Sequence, residues 1–228
     1  MNLAAEAELA LAELRGLRGG RLTVGASTTI GIYFLPELLA RYRRLYPRID
    51  LNLEVANTHV IQRYLHERRV DIAVTEGFVH LPELRARVFL VDELVPIVPF
   101  GHPLSQARSV RLERFCAEPV LMREQGSGTR EVIEAALGKK GVEITPLMTL
   151  GSTEAIKRSV SAGVGVSFVS SLTIQQELQD HRLATVALKG FRLERSLHVV
   201  QARDQSVSAA VRAFLELLEE AARDRRSE

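Results

Sequence analysis

Three junctions in this chain place hydroxyl side chains where a strand-patterned run gives way to a helical one. Ser27, Thr28 and Thr29 follow the apolar run at residues 22–26. Ser127, Thr129 and Arg130 lie in the glycine-rich segment after residues 120–122, and Ser152 and Thr153 follow residues 144–150. The start of a helix carries N–H groups without intrahelical partners, and its dipole favours a negative charge there. Hydroxyls add donors, and an arginine can grip a carboxylate or phosphate through two parallel hydrogen bonds. Plain N-capping calls on the same residue types. Recurrence of the arrangement in successive strand–helix units favours a shared cleft, because ligands in open α/β sheets sit at the carboxyl ends of strands. Asn57 opens the helix after residues 49–55. The candidate anion-binding set is Ser27, Thr28, Thr29, Asn57, Ser127, Thr129, Arg130 and Ser152.

Catalytic patterns are weak by comparison. The sequence has no HExxH, CxxC, GxSxG or Walker loop. His59 and His66 share a helical face but stand roughly 10 Å apart along the axis, too far to bind one metal ion. Gly163-Val-Gly165 precedes a strand pattern instead of following one, so it reads as a tight helix-to-strand turn and not a dinucleotide fingerprint. Cys116 stands alone and reads as a small buried hydrophobe. The expectation is no catalytic residue, no metal, no cofactor and no enzyme activity.

The bulk numbers set the frame. The 228 residues are 46% hydrophobic and 25% charged, as in ordinary globular proteins. Thirty Lys and Arg against 28 Asp and Glu leave a net charge of +2, too balanced for a domain that grips nucleic-acid backbone by itself. A single cysteine gives no sign of an oxidising compartment. The acidic, alanine-rich start lacks the features of a secretory signal, and no run reaches the roughly 18 apolar residues of a membrane span. The chain reads as soluble and cytoplasmic, although a processed periplasmic protein would share these absences.

The elements that must position the hydroxyls follow from periodicity. Leu3, Ala7, Ala10, Leu11, Leu14 and Leu17 form a narrow helical stripe ended by Gly19-Gly20, the pattern of a helix that pairs with a partner chain. Strand runs at 22–26, 49–55 and 72–74 then alternate with helical patterns at 32–45 and 57–68, a βαβαβ rhythm that implies a parallel sheet. Pro36 requires a kink, or a short first turn ahead of it. A long β-rich stretch at 88–98 leads to a second cycle: strands at 120–122, 144–150 and 166–169, helices at 129–137 and 153–162. Two cycles imply two subdomains. The alternation at 192–201 suits a connection running back from one to the other, and an amphipathic helix at 207–222 closes the pattern.

Several segments resemble one family. The run Gly20-Arg-Leu-Thr-Val-Gly-Ala-Ser-Thr-Thr-Ile-Gly-Ile-Tyr-Phe-Leu-Pro36 is similar to the opening of the effector-binding region of LysR-type transcriptional regulators. Val70–Val74, Gly101-His-Pro-Leu104, Ser127-Gly-Thr-Arg130 and Ala162-Gly-Val-Gly-Val-Ser-Phe-Val169 continue the match in order. Within the family the chain looks most like regulators of carbon-fixation and sulfur-assimilation operons, although Ile30 stands where some sulfur regulators carry Gln. The resemblance implies an α/β fold of two Rossmann-like subdomains joined by two crossover strands, similar to periplasmic solute-binding proteins. It divides the chain into a linker-helix end at 1–19, subdomain I at 21–118 plus 196–228, and subdomain II at 119–195. It also implies a small anionic effector, whether sulfate, phosphate, a phosphorylated or nucleotide metabolite, or a carboxylate, bound in the interdomain cleft. The expected assembly is a homo-oligomer, a dimer here and a tetramer when intact. Duplex DNA would be reached only through a winged helix-turn-helix that this sequence lacks, and no membrane is involved. The alternative is a periplasmic-type solute-binding protein for a small anion.

Overall fold

The computed structural model describes residues 19–227, and the expected helix at 3–17 lies outside them. The chain divides into two compact units. The first runs to Thr75, resumes over Val79–Leu90 and closes with the chain from His198 onward; the second comprises Glu76–Phe78 and Val91–Leu197. The sequence reading attached residues 91–118 to the first subdomain. The structure groups them with the second because Leu94, Val98, Leu104, Val110, Leu112 and Phe115 share one buried core with Val120, Met122, Ile133 and Leu137.

In the first unit, β1 (Gly20–Ser27) lies parallel between β2 (Ile49–Ala56) and β3 (Ile72–Glu76). Beyond β3 come β9 (Leu193–Ala202) and β4 (Leu84–Pro99), both continuous with the second unit along the chain. Leu22, Val24 and Ala26 on one face of β1 and Thr23 and Ser27 on the other are all buried, which fits a central parallel strand covered on both faces. The helix pattern at 32–45 divides at Phe34 into α1 (Thr28–Tyr33) and α2 (Leu35–Leu45), with Pro36 in the first turn of α2, where its missing N–H would be unpaired anyway. Thr28 and Thr29 thus lie inside a helix, and Ser27 stands at its N-cap position without a side-chain capping bond.

Asn57 opens α3 (Thr58–His66), and the Val60 N–H donates to its Oδ1 at 3.0 Å. Asn57→Ala is expected to lower stability by about 1 kcal/mol, read as a shift of the urea midpoint with an unchanged slope. Loss of ligand affinity without any shift would instead give Asn57 a binding role. On the far side of the sheet, Tyr42 and Phe214 meet edge to face at 6.3 Å, and the Tyr42 hydroxyl donates to the Ala210 carbonyl.

The second unit contains short helices α4 (Pro103–Gln106) and α5 (Leu112–Cys116), then β5 (Leu121–Arg123), α6 (Gly128–Gly138), β6 (Met148–Leu150), α7 (Thr153–Ser161), β7 (Ser167–Ser170), α8 (Gln175–Gln179) and β8 (Leu183–Thr185). β5 and β6 are parallel, and β4 pairs antiparallel with β7 and β8. The strand expected at 144–150 forms only over its last three residues. Pro146 has no N–H for a ladder, and the Leu147 N–H is drawn to the Val120 carbonyl at 2.8 Å. The first unit closes with α9 (Ala209–Ser227).

Candidate functional site

Both units place hydroxyls at the carboxyl ends of parallel strands. In the first, Ser27 and Thr29 are buried, and the Thr28 hydroxyl donates to the Ala56 carbonyl at the end of the adjacent strand. In the second, the Ser152 Oγ accepts from the Ala155 N–H at 3.1 Å, so it caps α7 as Asn57 caps α3. Both side-chain acceptors are engaged within their own helix starts.

The start of α6 is different. Ser127 is its N-cap residue, in an extended conformation, yet its side chain makes no capping bond. Its Oγ is buried and has no hydrogen-bond partner among the described residues. Its carbonyl already accepts from Glu131, but the first-turn N–H groups of Thr129 and Arg130 have no intrahelical acceptor. The peptide that follows β3 approaches this end: Gly77 has φ of +83°, and a Cβ there would lie 2.6 Å from the Gly128 Cα. Only glycine allows Glu76 to come this close.

A buried charge cluster adjoins the helix start. The Arg195 Nη1 donates to the Thr129 Oγ1 at 2.6 Å, and that hydroxyl donates to Glu76 Oε1 at 3.3 Å. The Arg195 Nε donates to Asp92 Oδ2 at 2.7 Å, and the Ser170 Oγ donates to Asp92 Oδ1 at 2.9 Å. Arg195, Asp92 and Glu76 are all buried. The Thr129 proton points at Glu76, so its hydroxyl cannot also donate to an anion. Arg130 is committed as well: its Nε meets Glu134 at 2.7 Å and its Nη1 donates to the Arg123 carbonyl. The bidentate clamp expected of Arg130 is therefore replaced by a bond along its own helix.

Arg195, Asp92 and Glu76 escaped the sequence reading, although a signal existed. Arg195 falls in register with Leu193, Leu197 and Val199 on the buried side of β9, and Asp92 with Leu90 and Leu94 on β4. A charge on the apolar phase of a strand is seldom buried without a paired partner.

A family model described as LysR substrate binding domain matches residues 15–223. The chain belongs to the LysR family. The LysR domain is 38% identical over 197 residues to the HTH-type transcriptional regulator YeiE of Escherichia coli K12, covering 86% of this chain and 67% of that protein. It is 36% identical over 219 residues to the RuBisCO operon transcriptional regulator of Allochromatium vinosum, covering 96% and 72%. Among solved structures, the CcmR regulatory domain of Synechocystis PCC6803, in complex with 2-PG, superposes with a TM-score of 0.83 at 28% identity, covering 90% of this chain and 98% of that one. The matches place the LysR domain among effector-binding domains of regulators and give no support to a solute-binding protein of transport.

Cys116 takes no part in the site. Burial, and then the charge of Glu113, push its thiol up to about 11. At pH 8 almost none is thiolate, so alkylation by iodoacetamide is expected to run far more slowly than for an exposed cysteine until the protein is unfolded. Rapid labelling of the native LysR domain would contradict this environment.

Proposed function

We propose that the LysR domain senses a small anionic metabolite at the start of α6, through the Ser127 hydroxyl and the first-turn N–H groups of Thr129 and Arg130. The observation that carries this reading is the buried, unpartnered Ser127 Oγ at the N-cap of an 11-residue helix. An N-cap serine normally turns its oxygen onto its own helix. One that does not keeps a donor available where the dipole favours negative charge. The complex of the similar CcmR domain with 2-PG supports an anionic ligand class.

The regulator containing this domain works in the cytoplasm as a homo-oligomer and reaches DNA through a winged helix-turn-helix outside this sequence. The effector acts by binding one conformation of that regulator more tightly than another, which is the only way a ligand shifts such an equilibrium. A thermal-shift screen of sulfate, phosphate, 2-PG, sugar phosphates, nicotinamide nucleotides and small carboxylates tests the reading. A ligand that stabilises the wild type should bind Ser127→Ala about 10- to 100-fold more weakly, since a hydrogen bond to a charged group contributes about 1.5–3 kcal/mol. Without ligand the variant should melt no lower than wild type, because the lost hydroxyl satisfied nothing in the folded protein. An anion that stabilises both proteins equally would place binding elsewhere.

A further inference from the structure

We infer that Arg195 is the buried cation of this effector site, its Nη2 donating to an oxyanion of the ligand while Asp92 and Ser170 hold its orientation. The inference rests on the anion-sensing reading above and adds the group that recognises charge. Guanidinium carries five N–H donors in a rigid plane. Two sides of that plane are fixed, Nε by Asp92 at 2.7 Å and Nη1 by Thr129 at 2.6 Å, with Glu76 Oε1 3.5 Å from Nη1. The third side, Nη2, is buried and has no partner among the described residues. With the plane pinned at two edges, the direction of Nη2 is pinned too.

Leaving a charged donor unsatisfied in a protein interior is costly, and each native instance needs an explanation. The neighbouring helix start supplies one. Arg195 touches Thr129, the second residue of α6, two positions after the unpartnered Ser127 Oγ. Ser127 and Arg195 thus each carry an unsatisfied donor, and Arg195 contacts the helix that Ser127 starts. An oxyanion accepting from both would satisfy them together, while Asp92 keeps the guanidinium oriented. Ser170 matters indirectly: by donating to Asp92 it fixes the carboxylate that fixes Arg195. Asp92 and Arg195 lie on β4 and β9, so a ligand pulling on Nη2 acts on both strands at once.

The chemistry recognised is an oxyanion, which a carboxylate or a phosphoryl group can supply, and calorimetric titrations with glycolate, inorganic phosphate and 2-PG separate the two. Arg195→Lys keeps the charge but loses the planar fork. Affinity is expected to fall at least 10-fold for 2-PG and for whichever simpler probe carries the group read by Arg195, with the other simple probe little changed. Ser170→Ala keeps every charge and is expected to weaken the same probes about threefold. A merely structural role for Arg195 would weaken all three alike or none, and either result overturns the inference. If Ser127→Ala loses affinity while Arg195→Lys and Ser170→Ala bind as wild type does, the anion reading stands and the Arg195 role fails. If wild type binds none of the three probes, both fail.

Discussion

Arg195→Met is expected to lower the unfolding free energy by about 3–5 kcal/mol, because it removes the buried cation that pairs with Asp92 at 2.7 Å and stands 3.5 Å from Glu76. Urea unfolding followed by circular dichroism reads the loss directly. The contrast is Arg87→Met, which breaks an ion pair with Glu219 at 2.6 Å whose side chains are 55% and 51% exposed. Solvent screening leaves such a pair worth about 0–1 kcal/mol. Restoring charge balance should also restore stability: Arg195→Met combined with Asp92→Leu should be less damaged than the sum of the two single changes. Equal, small effects at Arg195 and Arg87 would mean that the buried cluster does not hold the second unit together.

Gly165→Ala is expected to be nearly as severe. A Cβ at this position would lie 2.2 Å from the Pro119 carbonyl oxygen and 3.1 Å from its carbon. That oxygen accepts from the Val166 N–H at 2.8 Å, while the Leu121 N–H donates to the Val166 carbonyl. The methyl group therefore strikes backbone where β5 and β7 begin to align, and it can be admitted only by opening those bonds. Overpacking of this kind costs about 1–3 kcal/mol, and a backbone obstacle with no freedom to rotate puts it at or above the top of that range. Gly163 is the control. Its φ is +81° but no atom lies within 4 Å of its added Cβ, so Gly163→Ala should cost only the left-handed conformation, about 1–2 kcal/mol. A thermal melt that ranks Gly163→Ala below Gly165→Ala would contradict the assignment of crowding to Gly165.

Periodicity revealed most of the framework, and the reasons are local. β1 and β3 contain apolar runs, β2 alternates apolar with polar residues, and α3 carries its own start signal in Asn57, so each is specified by neighbours in sequence. The strand expected at 144–150 failed because Pro146 interrupts the ladder and the apolar Val142 and Ile144 serve the core from an irregular segment. The candidate site was half legible for a related reason. Ser127 and Thr129 stand at a recognisable strand-to-helix junction. Arg130 has the same chemistry as Arg195 and a more suggestive position, yet an acidic residue one helical turn later, Glu134, engages it. Arg195 reaches Thr129 across 66 residues of sequence, and Asp92 reaches Arg195 across 103. Pairings of that range follow from topology, which no window of sequence contains.

The most direct test of the central claim is an amide NMR titration of isotopically labelled protein with 2-PG. Anion binding at the start of α6 predicts saturable shifts largest at the Thr129 and Arg130 N–H groups, the two first-turn donors beside Ser127, with the Arg195 side-chain Nε–H moving at the same ligand concentration. Saturable binding that shifts other amides and leaves Thr129, Arg130 and Arg195 in place would contradict the account.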